Sequence, residues 1–230
     1  MSRFNKTENT WNSRWKAAIR AEKRFWSHRE ESVAHSSKGW KSFLRANFGL
    51  GYDFEQPVLE VGCGPTGVIR YLTEAFCVGV DPISFRSSED SYDQILGVGE
   101  ALPFKDGSFA TVICFNAIDH VADLSAVAHE ISRVLHAGGC LFLWVHVFPQ
   151  MIRKALDLAS PVIDPPHPHH LSERSLEQLM DAAGWRFIMK KRSKKHYGYS
   201  LKARIASYLM QDIYATCEKR NSVCALMSLG

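Results

Sequence analysis

The segment Val58-Leu59-Glu60-Val61-Gly62-Cys63-Gly64-Pro65-Thr66-Gly67 joins a short apolar run, a carboxylate and glycines spaced G-x-G-x-x-G. The apolar run predicts a buried strand, and the glycines predict a tight turn where a ligand lies against bare backbone. Dinucleotide-binding proteins use the same spacing. Glu60, just before the first glycine of this chain, argues for another ligand. A carboxylate there repels a pyrophosphate and favours a cofactor that carries positive charge and an amino-acid moiety. A second apolar run, Phe76 to Val80, ends at Asp81. A carboxylate ending the second strand of an open parallel sheet offers its two oxygens to the two hydroxyls of a ribose.

Histidine is the natural base near neutral pH, and ten are present. His120 follows the fourth apolar run and sits beside Asp119, His146 ends the fifth, and His167 opens His167-Pro168-His169-His170. His146 is expected on the ligand-bearing edge of the sheet and His167 in the loop before the Ser172 helix, and the three histidines are the candidate catalytic residues. A histidine cluster also raises the question of a metal. No cysteine or carboxylate set has metal-ligand spacing along the chain, so no metal is expected.

These residues need elements to position them. Residues 10–48 read as one or two helices broken near Ser36, Ser37 and Gly39, and they hold four of the six tryptophans. Strands are predicted at Pro57 to Val61, Phe76 to Val80, Gln94 to Val98, Phe109 to Phe115, Cys140 to Val147 and Trp185 to Met189. Helices are predicted at Pro65 to Glu74, after an Asp123 N-cap, at Phe148 to Leu158, from a Ser172 cap to Ala183, and at Leu201 to Cys217. The helix after Asp123 is expected to stop at Gly138-Gly139. Ser160 to His170, with four prolines and three histidines, reads as a loop, and Ser222 to Met227 as a last strand. The alternation gives an α/β, Rossmann-like, doubly wound and mostly parallel sheet with a final antiparallel strand. Residues 1–50 are expected to form an N-terminal helical lid over a domain at 51–230.

At 230 residues and 46% hydrophobic the chain can bury a sizeable core. The net charge of +4 is mild but concentrated in Met1 to Lys41 and Arg186 to Arg204. Such flanks suit an acidic substrate, a phosphate-bearing partner, a membrane surface or solvated helix faces. The six cysteines form no CxxC pair, which predicts free thiols in a reducing compartment. The amino-terminal residues are polar, and the apolar runs fall short of the roughly 20 residues of a membrane span. A cytoplasmic location without a membrane span is expected; oligomeric state is not readable from these features.

Five segments occur in a fixed order: Val58 to Gly67, Gly79-Val80-Asp81, Gly99-Glu100-Ala101-Leu102-Pro103-Phe104, Gly107-Ser108-Phe109, and Phe115-Asn116-Ala117-Ile118-Asp119-His120-Val121. Together they resemble the class I S-adenosylmethionine-dependent methyltransferases, in the small-molecule branch of ubiquinone and sterol methyltransferases. The resemblance covers about residues 55–148 and continues more weakly through Leu171 to Ile188. It implies S-adenosyl-L-methionine as cofactor. Glu60, Gly62, Cys63 and Gly64 would line its methionine part, Asp81 would hold its ribose, and Pro82 and Ile83 would flank its adenine. Glu100, Ala101 and Leu102 would lie at the adenine edge, with Asn116 and Ala117 beside the sulphonium. Two positions depart from the family pattern: Val98 and Ala110 stand where Asp is common. The implied reaction is methyl transfer to oxygen or nitrogen of a small-molecule acceptor such as a sugar or natural product, an acidic one included. The alternatives are an RNA methyltransferase using Lys190-Lys191-Arg192 and Lys194-Lys195, a non-catalytic S-adenosylmethionine-binding protein, and a nicotinamide dehydrogenase. No RNA-binding module is visible, so a nucleic-acid partner is not expected.

Overall fold

The computed structural model describes residues 3–27, 37–72, 76–84, 92–194 and 209–220. Two helices, α1 (Arg3–Ser27) and α2 (Ser37–Phe48), precede the sheet. Its strands are β1 (Val58–Val61), β2 (Cys77–Asp81), β3 (Asp93–Leu96), β4 (Phe109–Phe115), β5 (Leu135–Val147), β6 (Trp185–Ser193) and β7 (Gln211–Lys219). Helices α3 (Leu124–Val134), α4 (Gln150–Ile163) and α5 (Glu173–Ala182) lie between them, with 3₁₀ turns at Val68–Tyr71 and Ile118–His120.

The strand order is β3-β2-β1-β4-β5-β7-β6. β1 to β5 pair in parallel, and β7 runs antiparallel to both β5 and β6. The order reverses between β1 and β4, so their carboxyl ends border the crevice where such sheets bind ligands. Alternate side chains feed two cores. Leu59, Val61, Val112, Cys114, Leu141 and Leu143 share one with α3 and α5; Val58, Ile113, Phe115 and Phe142 share the other with Trp40 and Leu44 of α2.

Several expected elements differ. The helix expected at Pro65 to Glu74 is, among the described residues, only the turn Val68–Tyr71. The N–H groups of Val68 and Ile69 donate to the Glu60 carboxylate (3.2 and 2.9 Å), which caps this short turn. The helix after Asp123 ends at Val134 rather than at the glycine pair, and β5 begins at once. Gly138 (φ 85°) and Gly139 lie inside this strand; a Cβ on Gly139 would stand 2.5 Å from the Ala110 carbonyl oxygen. The helix expected from Phe148 runs on to Ile163, shortening the loop. Gln211–Lys219, expected as the end of a helix, is strand β7. Flanked by β5 and β6, it buries residues 212–218 on both faces. A strand covered on both sides loses the two-residue alternation that identifies it. Ser222 to Met227 lies outside the described residues. Cys63, Cys77, Cys114 and Cys217 are free and buried, whereas Cys140 is disulfide-bonded, correcting the expectation of free thiols throughout.

Candidate functional site

A cavity of about 330 Å³ opens at the carboxyl ends of β1, β2 and β4. Its floor is the turn after β1. Gly62 has φ 74°, and a Cβ there would fall 2.3 Å from that of Ala117. Gly64, at φ 47°, has open space where its Cβ would be. Left-handed backbone is adopted without strain by glycine, and the missing side chains leave amide groups bare to a ligand. Trp40 fixes the turn from above: its indole N–H donates to the Thr66 carbonyl (3.0 Å) and its ring stacks on Phe115 at 6.0 Å.

Glu60 lines this cavity but is only 2% exposed, and both of its oxygens accept the backbone N–H groups already described. Burial pushes its carboxyl up to about 8 although those two bonds favour the ionised form. Its first task is therefore to hold the glycine turn closed. Asp81 accepts from Gly64 N–H (3.0 Å) and Ile83 N–H (2.8 Å). Burial raises its carboxyl to about 6, against the pull of those same amides. Two amides leave acceptor capacity on both oxygens, which a pair of hydroxyl donors can use.

Gly62, Cys63, Gly64, Pro82, Glu100, Asn116 and Ala117 also line the cavity, as the sequence leads one to expect. Asn116 directly follows β4 with φ 52°, a conformation costly for a residue with a side chain. Its side-chain oxygen is buried with no hydrogen-bond partner, an acceptor waiting for a donor. Ala101 and Leu102 do not reach the cavity. Leu102 is in the core and its N–H donates to Glu130 (2.8 Å), while Arg133 binds its carbonyl, so α3 draws this segment away. Glu100 spends one oxygen on Ala122 N–H (2.6 Å) and Asp123 N–H (3.1 Å), tying the β3 edge to the start of α3.

The histidines divide. His120 and His167 both line the cavity, ring centroids 4.3 Å apart. Burial keeps the His120 imidazole below its ordinary range despite nearby Asp119. Burial likewise opposes charge on His167, but its Nδ1 donates to Asp164 (2.8 Å) and this bond lifts it to about 9. Asp119 is 3% exposed; burial disfavours its charge, yet His120, His167 and His146 together hold it below the usual carboxylate range. His146 does not line the cavity. Its Nδ1 lies 2.6 Å from buried Asp212 on β7, a partner brought there by the strand that was read as helix. His169 pins the loop down, its N–H donating to the Asp119 carbonyl and its ring meeting the Val121 carbonyl at 2.9 Å.

Sequence reasoning passed over Glu22, which lies 3.7 Å from His120 and accepts the Trp26 indole N–H (2.6 Å). Glu22, Trp15, Ala18 and Ile19 form the cavity roof, one face of α1 at helical spacing. The basic stretch on β6 is largely satisfied internally: Lys190 and Arg192 pair with Glu173, and Lys191 donates to the Ala46 carbonyl.

Residues 59–143, less than half of the 230, match the family model described as a methyltransferase domain. Tocopherol O-methyltransferase of Arabidopsis thaliana is 30% identical over 105 residues, which is 39% of this chain and 30% of that protein. An uncharacterised methyltransferase of Bacillus subtilis, YcgJ, is 28% identical over 140 residues, 54% of this chain and 53% of its own length. The chain thus spans about half or less of these curated relatives. The solved YcgJ structure superposes with a TM-score of 0.54 at 20% identity, covering 72% of this chain and 92% of that one. Geranyl diphosphate C-methyltransferase of Streptomyces coelicolor superposes at 0.60 with 16% identity, covering 79% of each. The matched segment contains the glycine turn, Asp81 and the end of β4: over residues 59–143 this chain matches a methyltransferase domain, and the doubly wound sheet around it has the fold of the class I S-adenosylmethionine-dependent methyltransferases.

Proposed function

We propose that the protein transfers a methyl group from S-adenosylmethionine to oxygen or nitrogen of a small-molecule acceptor. One observation supports this most: a single cavity is lined together by Asp81, by His120 with His167, and by the bare backbone of the glycine turn. The cofactor supplies a methyl group already activated on a positively charged sulphur. Asp81 is suited to its ribose hydroxyls, and Pro82 and Ile83 to the adenine. The turn at Gly62 to Gly64 and the unpartnered oxygen of Asn116 suit the amino-acid end. The remaining task of the protein is alignment, which can contribute about 7–11 kcal/mol to such reactions.

The acceptor approaches past His120 and His167, beneath Trp15, Ile19 and Glu22 of α1. We read residues 1–50 as a lid that excludes water from the reacting atoms. A roof of tryptophan and isoleucine suits an acceptor with an apolar body and one polar, reacting group. His120→Ala is expected to lower kcat by about 10²-fold or more, the low end of acid–base contributions. Calorimetry of S-adenosylhomocysteine should give the same affinity for this variant and the natural chain. Unchanged kcat would remove His120 from the acceptor side.

A further inference from the structure

We infer that Asp119, His120 and His167 form a binding site for one divalent transition-metal ion or zinc at the acceptor end of the cavity. This deepens the methyl-transfer reading and, for the ion's role though not for its binding, rests on it.

One potential ligand atom from each of the three residues lies within 4.8 Å of the others. Metal bonds of about 2.0–2.2 Å place neighbouring ligand atoms roughly 3–3.5 Å apart, so small side-chain rotations complete the set. Asp119 supplies the independent sign that something is missing. It is 3% exposed, and its Oδ1 is buried without a hydrogen-bond donor, the nearest cationic candidate being His120 Nε2 at 4.0 Å. A buried carboxylate oxygen left without a donor is costly, and a cation removes the cost.

The surroundings of His167 match those of a metal-bound imidazole. Such rings give their second N–H to a carboxylate that fixes tautomer and orientation. His167 Nδ1 donates to Asp164 (2.8 Å), which leaves Nε2 for a ligand. Asp164 is steadied in turn by His170 (3.4 Å), itself held by Asp157 (3.1 Å). Glu22, 3.7 Å from His120 Nδ1, adds a third carboxylate around the two imidazoles. Two nitrogens and one carboxylate suit zinc, manganese, iron or cobalt better than calcium or magnesium, which prefer all-oxygen sets. The expectation of no metal was drawn from spacing along the chain; the fold brings His167 to the adjacent pair Asp119-His120 instead.

The site implies an acceptor that presents a hydroxyl or enol oxygen. Bound to the ion, that oxygen would lose its proton to water at a lower pH than it would alone, and His120 would then serve as a ligand in place of a base. Its lone pair then forms the carbon–oxygen bond as the carbon–sulphur bond breaks, the electron pair staying on sulphur. No oxidation or reduction of the ion is involved.

The test uses the full chain freed of metal by chelator and titrated with cobalt(II), read by its visible absorption and by displacement with zinc. One equivalent should bind. Asp119→Asn and His167→Gln should abolish the band, and Asp164→Asn should weaken binding by about 10–100-fold. Absence of a band and of calorimetric zinc binding in the natural chain would overturn the site. So would cobalt binding unaltered by all three substitutions. Retained affinity for S-adenosylhomocysteine shows that each variant is folded. If Asp119→Asn fails to fold, His167→Gln and Asp164→Asn carry the test. Cobalt binding without S-adenosylhomocysteine binding would sink the methyl-transfer reading and leave the metal site standing; the reverse would sink only the metal site.

Discussion

Under the proposed function, Asp81 ties a protonation equilibrium to cofactor recognition. Ribose hydroxyls donate to the ionised carboxylate, and burial has raised this carboxyl to about 6. Affinity should therefore be full above about pH 6 and fall as pH drops through it, by at most about tenfold per unit for one proton. Calorimetry with S-adenosylhomocysteine between pH 5 and 8 measures the slope. Asp81→Asn should bind more weakly with no such slope; a flat profile in the natural chain would deny Asp81 its role. At Gly62 a methyl group would collide with Ala117 at 2.3 Å on backbone already in the left-handed region. Gly62→Ala should cost roughly 1–3 kcal/mol of stability and at least tenfold in cofactor affinity, by thermal melts and calorimetry. Both residues were readable in the sequence because their chemistry is local to a strand end. Glu60 was half readable: its position in the turn was correct, but its oxygens are spent on Val68 and Ile69. Ala101, Leu102 and His146 were misplaced because distant side chains, Glu130, Arg133 and Asp212, decide where those segments point.

At the scale of elements, α3 shows how a signal in the sequence becomes stability. Asp123 accepts from Ser125 N–H (2.8 Å) and Ala126 N–H (3.0 Å), satisfying two of the amides that open every helix. Asp123→Ala should cost about 1 kcal/mol, lowering Tm by about 2–4 °C. Because Asp123 is exposed and outside the cavity lining, cofactor affinity should not change. A loss of affinity would mean that the tie between Glu100 and the start of α3 shapes the site. The capped helices α3 and α5 were found from sequence because cap and apolar stripe agree. β7 was not: Ile213, Tyr214, Ala215, Thr216 and Cys217 are all buried, so no alternation marks the strand. The early start of β5 was hidden by Gly138-Gly139, which read as a helix end and instead let the strand pass close to Ala110.

At the scale of the molecule, the parts come together where the strand order reverses. β1 and β4 end side by side, α2 presses on the turn through Trp40, α1 roofs the cavity, and the loop before α5 closes its side through His167 and His169. The part of the cavity lined by the glycine turn, Asp81 and Asn116 was legible because it is written in contiguous motifs. The part lined by α1, the segment after β4 and the loop at His167 was not, because it is assembled from stretches far apart in sequence. Among the described residues no helix is long and apolar enough to cross a membrane. The most direct test is a calorimetric titration of the full chain with S-adenosylhomocysteine and, separately, with NAD at pH 7.5. One equivalent of S-adenosylhomocysteine should bind and NAD should not compete. A tighter complex with NAD, or no heat with S-adenosylhomocysteine, would contradict a sulphonium-nucleoside site.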